Sequence, residues 1–119
     1  MLGKIEYLGV GIDIIEVSRF KKKKYEENIN FYKKIFVKSE INYCLKFKNY
    51  YEKFTGKFAL KEALIKSISE KISFSEIETS HLNSKPVVKL LKSKKKYRFI
   101  ASLSHENDYA VAIVISEEI

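Results

Sequence analysis

The chain has 119 residues, with 23 Lys and Arg against 15 Asp and Glu, giving a net charge of +8. That length suits one domain, and 8 Tyr and 8 Phe beside a single Pro and 4 Gly exclude a disordered or collagen-like chain. The positive excess points to something anionic: nucleic acid, an anionic membrane, a phosphorylated small molecule or an acidic protein.

Residues 4–15, KIEYLGVGIDII, read as a first strand, in which Gly9 and Gly11 mark a place where another backbone or a ligand comes close. Glu6, Asp13 and Glu16 break up any secretory apolar segment, and no apolar run approaches the roughly 20 residues of a membrane span, so a cytoplasmic location is expected. The charged stretch EVSRFKKKK (16–24) opens a helix, and Phe31, Ile35 and Phe36 lie on another helical face. Ser39 and Glu40 read as the N-cap and acidic first-turn residue of a helix reaching about Phe47. Cys44, the single cysteine, has no internal partner and reads as a small buried hydrophobe in that helix.

Residues 50–71 give the strongest helix. Apolar residues from Phe58 to Ile68 cover almost the whole circumference, with Lys57 and Lys61 on one flank and Glu62 and Lys66 on another. Beyond Lys71 the pattern turns to β. FSEIETS (74–80) and PVVKLL (86–91) form one hairpin with Pro86 at a strand start. YRFIASLS (97–104) and YAVAIVI (109–115) form a second around a four-residue HEND turn. The sum is a single α+β domain over residues 1–119, an N-terminal strand and helices followed by antiparallel hairpins.

Several charged residues bear on function. Asp13 lies in an apolar strand, where an unpaired carboxylate costs several kcal/mol; facing water or capping the next helix is its plainer role. Glu62 and Lys66 have the favourable i, i+4 order of a surface pair worth only ~0.3–0.5 kcal/mol, yet the apolar ring leaves little room for a fully exposed one. Ser104-His105-Glu106-Asn107-Asp108 is a good turn sequence and too local for a hydrolase triad. With only His81, His105 and one Cys, a zinc site is not supported. Arg19 and Lys21–Lys24 read as a solvated helix start or a binding patch. If Asp13 and Glu62 converged, the pair would suit Mg²⁺, with Lys66 one turn away beside phosphates.

The segments GIDIIEVSRF (11–20), KFALKEALIKS (57–67), SKPVV (84–88) and SLSHENDYAVAIV (102–114) resemble, in order and spacing, the holo-acyl-carrier-protein synthases. These are the short bacterial-type phosphopantetheinyl transferases. The resemblance implies transfer of 4′-phosphopantetheine from coenzyme A to a serine of apo acyl carrier protein, with release of 3′,5′-ADP, in support of fatty acid biosynthesis. It implies Asp13 and Glu62 as Mg²⁺ ligands and Glu62, Lys66 and His105 as catalytic residues. Lys57, Lys66, Lys85, Pro86 and His105 would bind coenzyme A, although Lys57 stands where arginine is common and Ser84 where glycine is. The serine proton would pass to Glu62 or a metal-bound water. Arg19, with Lys22 and Lys23, would meet the acidic carrier protein. A homotrimer with active sites at subunit interfaces, and neither nucleic acid nor membrane as partner, completes the expectation. The competing expectation is a small basic nucleic-acid-binding module.

Overall fold

The computed structural model describes residues 7–119. Its elements are β1 (Leu8–Glu16), α1 (Ser18–Lys21), α2 (Ile29–Ile35), α3 (Lys38–Cys44), α4 (Tyr50–Ser67), β2 (Ile77–Leu82), β3 (Lys85–Leu90), β4 (Tyr97–Glu106) and β5 (Tyr109–Glu118). The α+β order matches the expectation from sequence. Residues 4–6 of the expected first strand lie outside the described residues. Short 3₁₀ turns at Tyr25–Glu27 and Phe74–Glu76 fill the connections.

An antiparallel sheet runs in the order β1-β5-β4, and β2 and β3 form a separate two-stranded hairpin. The first-strand glycines explain how α4 lies on the sheet. A Cβ on Gly11 would sit 1.8 Å from the Ala63 carbonyl oxygen, and one on Gly9 at 1.8 Å from that of Ser67. The strand backbone therefore touches the helix backbone directly. Ala110 and Ala112 of β5, both fully buried, extend the same flat floor.

Burial alternates along the strands as a half-covered sheet requires. Gly11, Ile15, Ala112, Val114 and Ser116 face α4, while Leu8, Val10, Ile12 and Ile14 of β1 and Ile113 and Ile115 of β5 face outward and are exposed. Below α4 lies an aromatic cluster of Phe20, Tyr32, Phe36, Phe54 and Phe58, with ring centroids 4.7–6.5 Å apart among its contacting pairs. Tyr32 donates its hydroxyl to the Lys23 carbonyl at 2.6 Å, which pins the lysine-rich loop onto this core. Much of the aromatic content is thus core. Cys44 is fully buried, as expected.

Three expectations are corrected. The helix begun at Ser39 starts instead at Lys38, with Val37 as its N-cap. Ser39 turns outward to Glu78 at 2.6 Å, and Glu40 points inward. Glu40 Oε1 accepts the Val37 N–H at 2.9 Å and meets Lys61 Nζ at 2.7 Å, with both side chains 0 % exposed. Lys61 also donates to the carbonyls of Ile35, Phe74 and Ile77 at 2.7–2.9 Å, so its whole ammonium is satisfied inside the protein. Second, α4 ends at Ser67 rather than Lys71. Third, the HEND loop is a two-residue turn, Asn107-Asp108, because the strands continue through Glu106 and from Tyr109. Asn107 takes φ 54°, a left-handed value asparagine tolerates. The first hairpin also turns through two residues, Asn83 (φ 52°) and Ser84 (φ 65°), as a type I′ connection requires.

The β1–α4 crossing leaves no space for a side chain. Gly11→Ala should lower unfolding free energy by at least about 2 kcal/mol in denaturant titration, since the methyl meets backbone rather than a movable side chain.

Candidate active site

The crossing brings three of the expected site residues together. Asp13 follows Gly11 by two positions and emerges on the helix-facing side of β1, next to the α4 flank bearing Glu62 and Lys66. Lys66 Nζ lies 2.7 Å from Asp13 Oδ1 and donates to the Ile12 carbonyl at 3.1 Å. Asp13 Oδ2 is buried without a hydrogen-bond partner. Burial, and then the neighbouring Asp13 charge, push the Glu62 carboxyl above its ordinary range, while Lys66 and Arg19 oppose the shift. The hydrogen bond from Lys66 to Asp13 holds the Lys66 ammonium above its usual pKa. Arg19 of α1 sits over the Phe58 ring, its guanidinium carbon 5.3 Å from the centroid. The start of α1 is fixed from the far hairpin, where the Val17 N–H donates to the Asp108 carbonyl at 2.7 Å.

An orphaned buried carboxylate oxygen beside a second carboxyl is a donor set that a hard cation satisfies. No cluster of three or more His, Cys, Asp or Glu occurs among the described residues. Two protein oxygens with the remainder left to water and phosphate is the Mg²⁺ pattern rather than that of a structural zinc. The residues present fit such an ion.

A second cluster occupies the opposite side of α4. At about 100° per residue, the nine positions from Lys57 to Lys66 place the two lysines on opposite faces of the helix. Lys57, with Lys53, His81, Pro86 and His105, lines a cleft of ≈ 210 Å³ between α4, the β2–β3 hairpin and β4. Lys57 is 3 % exposed, donates to Thr79 O at 2.9 Å and Oγ1 at 3.1 Å, and lies 4.8 Å from the Tyr43 ring centroid. Two of its three N–H donors are thus spent on the fold. Thr79 is itself held by Glu40 Oε2, which accepts its N–H and its hydroxyl, both at 2.7 Å. His105 packs on the helix where Gly56 lacks a side chain, with Nε2 3.1 Å from the position of a Cβ there. Burial lowers the pKa of both His105 and His81; Lys57 and Lys53 lower that of His81 further.

The structure therefore separates residues that the sequence grouped. Asp13, Glu62, Lys66 and Arg19 share one flank. Lys57, Pro86 and His105 share the other, and Lys85 is exposed at the start of β3. In register, Asp13 pairs with Ala112 and Leu103 with Ala112, while His105 lies two residues further along β4, so Asp13 and His105 stand on opposite edges of the sheet, about 12 Å apart across two strand spacings and two residues of rise. Lys22 and Lys23 line a groove of ≈ 640 Å³ with Arg19, Ile14, Glu16 and Tyr109. Sequence reasoning missed Tyr43, Lys53 and His81. Lys53 stands one turn before Lys57, and His81 pairs with Pro86 in the hairpin register, a spacing that could have pointed to both.

The chain belongs to the 4′-phosphopantetheinyl transferase superfamily, whose family model matches residues 9–114. Within that superfamily it groups with the holo-[acyl-carrier-protein] synthases, and it is a transferase. It is 38% identical over 117 residues to the holo-[acyl-carrier-protein] synthase of Chlamydia trachomatis, covering 92% of this chain and 98% of the relative. A Bacillus anthracis holo-(acyl-carrier-protein) synthase, solved in complex with CoA (3′,5′-ADP), superposes with a TM-score of 0.79 at 31% identity over 93% of this chain and 96% of that one. The Helicobacter pylori enzyme, solved in complex with coenzyme A, gives a TM-score of 0.76 at 31% identity, over 91% and 99% respectively.

Because Glu62 has a raised pKa, it favours the protonated form in the folded state. Its contribution to stability is fully present below its unfolded pKa and is lost as pH rises through the folded one. Glu62→Gln should therefore raise the melting temperature at pH 7–8 in metal-free buffer, with a gain that disappears near pH 4; an equal gain at both values would remove the electrostatic origin.

Proposed function

We propose that the chain transfers 4′-phosphopantetheine from coenzyme A to a serine hydroxyl of apo acyl carrier protein, with Mg²⁺ held by Asp13 and Glu62. The observation that carries the reading is the unpartnered, buried Asp13 Oδ2 beside Glu62, in a chain whose relatives are holo-[acyl-carrier-protein] synthases. Mg²⁺ at these carboxylates would spread the charge of the coenzyme pyrophosphate and ease departure of 3′,5′-ADP. Lys66 supplies a compact positive charge on the same flank for the phosphate oxygens. Glu62 is placed to receive the proton as the serine oxygen attacks the phosphorus bearing pantetheine. The P–O bond to the departing ADP phosphate breaks as the new P–O bond to serine forms.

The cleft of Lys53, Lys57, His81, Pro86 and His105 would take the coenzyme's remaining phosphate by charge, and Lys85 would add to its rim. The groove edged by Arg19, Lys22 and Lys23 would take the acidic surface of the carrier protein. A fatty-acid carrier in the cytoplasm is the substrate we assign. We assign no role in binding nucleic acid or membrane; no described helix is long and apolar enough to cross one.

The outer sheet face supports a homotrimer with shared active sites. Val10, Ile115 and Ile100 form one exposed apolar row across the three strands, and Ile12 and Ile113 extend it. An apolar face of this kind marks an association surface. The separation of the carboxylate flank from the cleft supports a site completed by a neighbouring copy.

Incubation with coenzyme A, Mg²⁺ and apo carrier protein should add a phosphopantetheine group detectable by mass spectrometry. Asp13→Asn and Glu62→Gln should each cut that rate by at least about a hundredfold with the melting transition retained. An absence of adduct on any carrier, with salt-dependent nucleic-acid binding in its place, would return the chain to the nucleic-acid reading.

Light scattering after size exclusion should give three chains per particle. Ile115→Glu on the central strand should shift it to one; a particle unchanged in mass would rule this face out as the contact.

A further inference from the structure

Lys66 has two places to put its charge. As it stands, its ammonium lies 2.7 Å from Asp13 Oδ1, on the carboxylate assigned to the divalent cation. Its side chain is 52% exposed and is held only at its tip, by Asp13 and by the Ile12 carbonyl. A four-carbon stem anchored on α4 lets that tip move without disturbing the core. Asp13 is different. It is fixed on β1 by the Gly11 contact and its side chain is only 12% exposed. The carboxylate stays and the ammonium is the movable partner.

We propose that Lys66 is a built-in competitor of the divalent cation at Asp13, which weakens binding of the cation alone and makes cation and coenzyme bind cooperatively. The inference rests on the reading of Asp13 and Glu62 as the cation's ligands. Two positive charges sharing one carboxylate repel each other, so an ion arriving without an anion has to displace or crowd Lys66. An ion arriving with a pyrophosphate brings oxygens that accept the same ammonium. Lys66 then changes from a competitor to a ligand of the anion, and the displaced charge is kept near the site. By linkage the coenzyme must raise the cation's affinity by the factor by which the cation raises the coenzyme's. Lys66 is the positioning residue through which that coupling acts. Arg19 also faces the Asp13–Glu62 pair, but it is held against the Phe58 ring and makes no salt bridge with Asp13 to release.

The test uses Mn²⁺ as the probe, titrated into the full-length protein by calorimetry or by the electron paramagnetic resonance of the free ion, without and with saturating coenzyme A. Lys66→Gln should bind Mn²⁺ alone about threefold to tenfold more tightly than the wild type, in keeping with loss of a half-exposed ion pair. With coenzyme A present it should bind Mn²⁺ more weakly than the wild type. Lys66→Arg, which keeps the charge, should stay weak for Mn²⁺ alone. A Lys66→Gln variant with unchanged or weaker Mn²⁺ binding alone would overturn the competition, and one tighter in both conditions would overturn the coupling. Asp13→Asn separates the two readings. Mn²⁺ binding as tight as wild type in that variant would remove the cation site itself, whereas weaker binding there with no gain in Lys66→Gln would overturn the inference about Lys66 and leave the site standing.

Discussion

The direct contact between the backbones of β1 and α4 is the constraint on which the site depends. With no side chain at Gly9 and Gly11, the strand rests on the Ser67 and Ala63 carbonyls, and the next inward residue, Asp13, comes level with the polar flank of the helix. A larger residue at either glycine would lift the strand, and Asp13 would leave the reach of a lysine that now touches it at 2.7 Å. The same crossing fixes β5 and β4 through their register with β1. It therefore also sets where His105 meets the helix, at Gly56. Three of the chain's four glycines serve this one packing arrangement.

The opposite flank of α4 is held by a different kind of interaction. Burying Lys61 and Glu40 costs several kcal/mol per ion in desolvation, which is offset only if every donor and acceptor finds a partner. Here they do. Lys61 gathers carbonyls from the end of α2, from the 3₁₀ turn and from β2, and Glu40 passes the network on to Thr79 and so to Lys57. A methionine at 61 would fill the volume without joining the three segments. The pair thus orients the β2–β3 hairpin, and the cleft between hairpin and helix has its floor set from inside the core.

What could be read from sequence follows from this division. The α+β order, both hairpins and the buried character of α4 were legible because hydrophobic period and turn chemistry are local signals. The grouping of Asp13, Glu62 and Lys66 came from the family resemblance of their motifs, since Asp13 alone read as a solvent-facing or capping residue; their proximity in the fold follows from the contact of the Gly9 and Gly11 backbone with α4. Ser39 was misread as the N-cap, which is Val37; Glu40 is the first-turn acid the sequence indicated, but its second role, inside the core, has no local signal. Its partner Lys61 lies 21 positions away on an unremarkable helix flank. No wheel distinguishes a solvated lysine from one with four internal acceptors. Tyr43, Lys53 and His81 went unseen for a related reason: they come from α3, α4 and β2, and only the folded hairpin brings them to one cleft. The length of the last turn was missed because β pairing continued through residues whose composition suits a loop.

Part of the positive charge of +8 is gathered at two places. One part edges the groove of Arg19, Lys22 and Lys23, next to the carboxylate pair; another, with two histidines whose pKa burial lowers, lines the cleft on the far side of α4. On our reading the groove takes the acidic carrier protein and the cleft takes a phosphate of the coenzyme, yet in a single chain the carboxylate pair beside the groove and the cleft point away from each other with the full width of a helix between them. A rigid helix cannot fold these faces together, and its attachment to the sheet by backbone contact leaves it no freedom to rotate. On the proposed reading, a second copy would bring the carboxylate flank of one chain toward the cleft of another. The exposed apolar rows of β1, β5 and β4 offer that copy a surface, and their burial would supply association free energy at sites that carry no chemistry. On that reading, assembly would be a condition for catalysis rather than an addition to stability.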